Sequence, residues 1–182
     1  MFERPDFTDP AFAEHVWYFD SYKNAIVPRC RGRVLDIGAG HAYLSRAAAE
    51  KDEVISVVAT DRYYDPRLAQ NHPKLRIVTI ATERLIERRE GQDDFGEFDT
   101  IIATEHVEHL PEPLHRPLLA FIRQHLAKGG AFLGSMPHVN NSGNPFHLRE
   151  YLAEEWQAVL RTYFEEVELW FPSPLLYVWR AA

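Results

Sequence analysis

The chain of 182 residues holds a single cysteine, Cys30, and that scarcity removes two classes of protein at once. One thiol closes no internal disulfide and builds no cysteine-rich metal centre, so a disulfide-stapled scaffold and a zinc ribbon are both excluded. Cys30 reads as a structural residue. Long apolar runs are missing as well: no stretch reaches the ~18 uncharged residues that a membrane-spanning helix needs. The start, Met1-Phe2-Glu3-Arg4-Pro5-Asp6, shows neither a basic segment leading into an apolar run nor a small-residue cleavage pattern. A cytoplasmic protein is the expectation. Repeats and low-complexity tracts are also lacking. Positive charge is in deficit, with 20 Lys and Arg against 27 Asp and Glu, a net charge of −7 and a pI near 5.7. A chain of that sign sets up no global field for a phosphate backbone, so nucleic acid is a poor partner and small molecules are the expected substrates. The local basic run Arg84, Arg88 and Arg89 reads as a solvated helix face.

What remains is the composition of an ordinary globular domain, 46% hydrophobic and 26% charged, at a length that suits one core. The first segment reads as a helix. Asp9 can cap it, Pro10 suits its first position, and Phe12, Val16, Phe19 and Ile26 supply an apolar side that ends near Pro28. From Arg33 onward short apolar runs alternate with helical patterns, the signature of parallel strands joined by crossover helices. Strands are predicted over 33–37, 54–60, 75–80, 98–104 and 131–136, with helices over 43–50 and 114–126. The tail adds a helix over 152–163, a strand over 167–171, a turn at Pro172-Ser173-Pro174 and a last strand over 175–179. The fold class is therefore α/β: a mostly parallel sheet with helices on both faces and a C-terminal β-hairpin. Two regions are expected, an N-terminal helical lid over 1–30 and the domain proper over 31–182.

The densest chemistry follows the first strand, in Val34-Leu35-Asp36-Ile37-Gly38-Ala39-Gly40-His41-Ala42-Tyr43. Gly38 and Gly40 allow a sharp turn and a close ligand approach, and the next helix presents unpaired N–H groups. Ligands of open α/β sheets sit beyond the carboxyl ends of the strands, where this loop lies. The second strand ends in Thr60-Asp61-Arg62, which places a carboxylate to accept hydrogen bonds from both hydroxyls of a ribose. Glycines and acid in this order, about 20 residues apart, point to a nucleoside cofactor.

Asp36-Ile37-Gly38-Ala39-Gly40 resembles motif I of class I S-adenosylmethionine-dependent methyltransferases, with an acid two positions before the first glycine. Phe98-Asp99-Thr100-Ile101-Ile102-Ala103-Thr104-Glu105-His106-Val107-Glu108-His109-Leu110 resembles motif IV of the same family. Ala127-Lys128-Gly129-Gly130 resembles the turn before its fifth strand. The nicotinamide fingerprint fits worse, because Tyr43 stands where its third glycine belongs. The resemblance runs from Val34 to the end of the chain and implies a Rossmann-like methyltransferase domain. It implies that S-adenosylmethionine is held by Asp36, Gly38, Ala39, Gly40, Tyr43, Asp61, Arg62, Thr104 and Glu105. Relatives often carry an aspartate for the adenine amine after the third strand; here Ala81-Thr82-Glu83 stands there, which leaves the backbone at Thr82 or the Glu83 side chain as the adenine contact.

If a helix begins after the fourth strand, Glu105, Glu108 and His109 fall at i, i+3 and i+4 on one face. His147, beyond the polar loop 138–145, supplies a fourth donor. Two carboxylates and two imidazoles suit Mg²⁺ or Mn²⁺, and could take zinc or iron. A Glu-x-x-Glu-His stretch with a distant histidine resembles two metal-dependent branches of the family. These are the O-methyltransferases of ubiquinone biosynthesis and the small-RNA 3′-terminal 2′-O-methyltransferases. The resemblance to the latter extends to His147-Leu148-Arg149-Glu150-Tyr151. In relatives that bind no metal, the same residues line the sulfonium pocket, and His109 or His147 then serves as general base, with Glu105 beside it. The reading this supports is O-methylation of a small-molecule or carrier-bound hydroxyl. The alternatives are an RNA terminal 2′-O-methyltransferase, which the acidic charge disfavours, and a non-catalytic S-adenosylmethionine-binding subunit, which the intact cluster disfavours. A nicotinamide-dependent dehydrogenase lacks a hydride-transfer constellation. The acceptor would be covered by the first helix, through Trp17, Tyr18 and Tyr22, and by the 138–147 loop.

Overall fold

A computed structural model describes residues 16–63, 72–87, 95–138 and 144–182. The expected helix start at Asp9, Pro10 and Phe12, the Trp17 side chain, Arg88 and Arg89, and positions 139–143 lie outside the described residues. Seven strands form one sheet: β1 (Gly32–Ile37), β2 (Val54–Asp61), β3 (Leu75–Thr79), β4 (Phe98–Thr104), β5 (Leu126–Pro137), β6 (Val167–Ser173) and β7 (Leu176–Ala181). Their spatial order is β3-β2-β1-β4-β5-β7-β6. The first five pair in parallel and β7 lies antiparallel to both its neighbours, β5 and β6, so the mostly parallel sheet and its terminal hairpin are both observed. The helices are α1 (Val16–Ile26), α2 (Tyr43–Ala49), α3 (Thr82–Ile86), α4 (His115–His125) and α5 (Ala153–Leu160).

The central strands are apolar on both faces because both are covered. Leu35, Phe98, Ile101 and Phe132 face one side, where Leu118, Leu119 and Ile122 of α4 and Trp156 of α5 meet them. Val34, Ile102, Leu133 and Val178 face the other, under Tyr22 and Ile26 of α1 and Leu44 and Ala48 of α2. Alternate residues of one strand thus feed two cores, and each fully buried Leu or Ile contributes roughly 1.5–3 kcal/mol of apolar burial. The first helix is anchored by Ile26, which is fully buried, and carries Tyr18 and Phe19 toward the carboxyl ends of β1 and β4.

Several boundaries differ from the expectation, and three of the differences have a physical reason. The fifth strand starts at Leu126 instead of 131, because Leu126 already pairs with Phe98 before the register shifts past the Gly129-Gly130 turn. The sixth runs through Pro172 to Ser173. It is the edge strand, where a residue without an N–H costs no ladder bond, so the turn falls at Pro174 and Leu175 instead. The late helix is shorter than 152–163, since Arg161 to Tyr163 form turns beyond Leu160.

Candidate functional site

At the end of β1 the chain turns into the glycine loop, and the amides of Gly38 and Ala39 donate to the Thr60 carbonyl at 2.8 and 2.9 Å. The loop is thereby pinned to the end of β2. Gly38 sits at φ +71° and Gly40 at +52°, in the left-handed region that glycine enters without strain. A Cβ at Gly40 would point into open space, which leaves bare backbone beside a cavity of about 830 Å³. Asp61 reaches the loop from β2: one carboxylate oxygen accepts the Gly40 amide at 2.9 Å, the other the Tyr63 amide at 2.7 Å. Each oxygen keeps a further lone pair, which is what two ribose hydroxyls require.

Asp36 lies buried beneath the loop and lines the cavity. The Ser45 hydroxyl donates to one of its oxygens at 2.5 Å, and the other, Oδ1, has no hydrogen-bond partner among the described residues. Burial pushes the Asp36 carboxyl up from 3.8 to about 7, the Ser45 bond opposing the rise and the Asp61 charge adding to it. A folded value above the unfolded one means the native state holds the proton longer. The associated stability is complete below about pH 4 and is lost as pH rises toward 7. Asp36→Asn removes this dependence. Urea denaturation should show the variant gaining on the wild type between pH 5 and pH 8, by roughly 2–3 kcal/mol for a rise from 3.8 to about 7. A gap that stays constant over that range would show that Asp36 is ionised in the native protein throughout.

Of the two adenine candidates, Thr82 is expected to act through its backbone, and its hydroxyl lies 2.9 Å from Nε2 of His106. Glu83 forms an ion pair with Arg62 through one oxygen, while its other oxygen is buried and has no hydrogen-bond partner among the described residues. Glu83 therefore retains an acceptor for an amine. Asp61, Arg62, Thr82 and Glu83 flank the loop but do not line the cavity, whereas Asp36, Gly38, Ala39, Gly40, Tyr43, Thr104 and Glu105 do. Sequence reasoning passed over His106. Its ring lies against Gly38, where any side chain would collide with it, and burial holds its pKa down at about 4, so the imidazole is neutral.

The α-helix expected over Glu105–His109 is not formed. The Glu105 amide donates to the Ser135 carbonyl at 3.1 Å, which continues the sheet one residue past β4, and Glu105 then reverses the chain at φ +47°. A short 3₁₀ turn, Val107–His109, follows, and Leu110 is extended because Pro111 comes next. Three of the four expected ligands converge nonetheless. One donor atom each from Glu108, His109 and His147 lies within 4.8 Å of the other two. Glu105 stands outside this trio, its carboxylate accepting from the Ser135 hydroxyl at 2.8 Å and from the Tyr18 hydroxyl of α1.

Among the described residues, the surroundings leave one imidazole nitrogen open and engage both of the other ring's. His109 presents Nδ1 to the Phe146 carbonyl at 3.2 Å, an acceptor, so the proton sits there and Nε2 is left with a lone pair. His147 pairs through Nδ1 with the Glu150 carboxylate, and the Asn144 amide lies 3.0 Å from its Nε2. The two rings meet edge to face at 4.8 Å. Burial pushes His109 below the ordinary histidine range, which keeps it neutral. Glu108 is fully buried and neither carboxylate oxygen has a hydrogen-bond partner among the described residues. Its carboxyl is held well above the carboxylate range, first by burial and then by the Glu105 charge, and burial likewise raises Glu105. The bonds of Glu105 to the Tyr18 and Ser135 hydroxyls join residues 87 and 30 positions apart, so no local pattern announces them, whereas the His147–Glu150 pair lies within one short stretch that the sequence singled out.

A family model described as a methyltransferase domain matches residues 9–179, almost the whole chain. No curated protein matches the chain. Among solved structures, DhpI in its complex with SAH is 16% identical, with a TM-score of 0.68 over 93% of this chain and 88% of that one. A SAM-dependent methyltransferase from Archaeoglobus fulgidus is 17% identical, with a TM-score of 0.68 over 93% and 91%. The methyltransferase domain of bacterial CtHen1-C is 14% identical, with a TM-score of 0.65 over 90% and 95%. A glycine loop after β1, a carboxylate at the end of β2 and this family match converge on one assignment: the chain belongs to the class I S-adenosylmethionine-dependent methyltransferases.

Proposed function

We propose that the chain methylates a hydroxyl on a small-molecule or carrier-bound acceptor, with a divalent cation held by Glu108, His109 and His147. The observation that carries this reading is the buried Glu108 carboxylate without a hydrogen-bond partner among the described residues, beside the imidazoles of His109 and His147 at the wall of the cofactor cavity. A carboxylate so placed costs about 1–3 kcal/mol or more unless a cation meets it. Mixed oxygen and nitrogen donors suit Mg²⁺ or Mn²⁺. The residues fit the cofactor equally well: Asp36 Oδ1 is an unpartnered acceptor at the cavity wall, and Gly40 leaves the backbone bare.

S-adenosylmethionine supplies an electrophilic methyl group on a sulfonium. A cation in the cluster would make a nearby hydroxyl more acidic. The chain does the rest by position, since in-line displacement demands an acceptor oxygen aligned with the methyl carbon. Tyr18, Phe19 and Tyr22 wall the cavity from the α1 side, and Thr104 and Glu105 line it at β4. His109 Nε2 offers its lone pair either to a cation or to the acceptor proton, and that choice separates metal assistance from simple base catalysis.

Calorimetric titration decides between them. S-adenosylhomocysteine should bind with micromolar affinity, weakened at least about tenfold by Asp61→Ala, which removes two hydrogen bonds to the ribose. After chelation, added Mn²⁺ should give heat in the wild type and none in Glu108→Ala or His147→Ala. Cofactor binding without metal heat would replace the metal-assisted route with base catalysis by His109. Absence of both would overturn the proposal.

A further inference from the structure

The cluster rests on two separate pieces of chain, the 107–110 turn and the 147–151 segment, and something must hold their donors in register. Two direct links exist: the Glu108 carbonyl accepts the amides of Leu148 and Arg149, at 2.7 and 3.2 Å, and His109 meets the Phe146 carbonyl. A third passes through a residue of α4. His115, 2% exposed, has Nε2 at 2.9 Å from the Leu110 carbonyl and Nδ1 at 2.9 Å from the Tyr151 hydroxyl. The carbonyl only accepts, so Nε2 carries the proton; Nδ1 is then bare and accepts the Tyr151 O–H. Tyr151 is itself fixed, because the Tyr177 hydroxyl of β7 donates to its carbonyl at 3.2 Å.

We propose that His115 is a positioning residue of this enzyme, a strut that joins Leu110, next to His109, to Tyr151, next to Glu150, and so sets the approach of His109 to His147. The proposal rests on the reading of Glu108, His109 and His147 as the working cluster. The role calls for a side chain that donates at one edge and accepts at the other without charge, inside the core, and neutral imidazole does both. Outer partners of this kind orient the donors of a polar site without touching what the site binds, and their loss typically lowers metal affinity about 10- to 100-fold. Among the described residues His115 contacts neither the glycine loop nor Asp61, so cofactor affinity should be indifferent to it.

Four proteins test this: wild type, His115→Phe, His115→Gln and Tyr151→Phe. Phenylalanine keeps the ring and loses both bonds; glutamine offers a carbonyl to Tyr151 and an amide N–H to Leu110. Imidazole ¹⁵N spectra recorded without metal should show His109 and His147 with the proton on Nδ1 in the wild type and in His115→Gln. In His115→Phe, at least one of them should become a tautomer mixture. Mn²⁺ affinity should fall about 10- to 100-fold in His115→Phe and less in Tyr151→Phe, while S-adenosylhomocysteine affinity stays within about twofold. If His115→Phe does not fold, Tyr151→Phe, which removes one hydroxyl, decides through the same two readings. A lower melting temperature with unchanged His109 and His147 spectra and unchanged Mn²⁺ affinity would make His115 an ordinary core histidine and overturn the proposal. A wild type that takes up no Mn²⁺ would overturn the metal reading instead, and the spectra alone would then decide the role of His115.

Discussion

Glu108→Leu should raise the melting temperature of the metal-free protein and abolish its Mn²⁺ binding. The wild-type side chain is fully buried with two oxygens that meet no hydrogen-bond donor among the described residues. Leucine has similar bulk and no polar atoms. The gain should be about 2 kcal/mol, equivalent to about 6 °C in a domain of this size. Its pH dependence has a definite sign. Burial and the Glu105 charge raise the folded pKa of Glu108 far above that of the unfolded chain. Wild-type stability is then complete only below the unfolded value, about 4.3, and falls as pH rises, so the advantage of the variant widens from pH 5 to pH 8. Metal reverses the order. A cation at 100 times its dissociation constant stabilises a protein that binds it by about 2.7 kcal/mol and does nothing for one that does not. Thermal melts of both proteins, with chelator and with Mn²⁺, check all three statements. A variant that melts below the wild type in chelator would show that Glu108 stabilises the fold without a cation, and the case for a metal would lose its main support.

The same contrast between local and distant partners explains what could be read from the sequence. The strands were legible because burial on both faces writes continuous apolar runs, as in Val34-Leu35 and Ile101-Ile102, and because turns carry glycine and proline. The loop Gly38-Ala39-Gly40 and Asp61 were legible because their spacing follows from adjacent parallel strands. The helix expected from Glu105 was misread because its spacing pattern is local, while the chain there obeys a bond from the Glu105 amide to Ser135, thirty positions away. Helical spacing at 105, 108 and 109 is also compatible with a reversed residue followed by a 3₁₀ turn, and Pro111 was the local hint that no long helix could follow. Tyr18 was singled out as a covering aromatic, yet its hydroxyl meets Glu105 across 87 positions, a pairing no periodicity encodes.

His106 shows the limit most clearly, because its role depends on a residue that lacks a side chain. Gly38→Ala should destabilise the protein by about 3 kcal/mol, for two separable reasons. At φ +71° an alanine pays roughly 1–2 kcal/mol for the left-handed conformation. Its Cβ also overlaps the His106 ring, which the Thr82 hydroxyl holds in place, and overpacking of this kind costs about 1–3 kcal/mol. Only the second cost depends on His106. In the double variant Gly38→Ala, His106→Ala, the overlap is gone and the backbone strain stays, so the glycine substitution should cost about 1 kcal/mol there. A urea-denaturation cycle over the four proteins measures that coupling directly, with about 2 kcal/mol expected between positions 38 and 106. S-adenosylhomocysteine affinity should fall in Gly38→Ala and recover only in part in the double variant, because the loop amides that turn toward Thr60 remain under the same strain. Additive stabilities would mean that the loop yields without pressing on the ring, and the close approach of His106 to Gly38 would then have no part in shaping the cofactor loop.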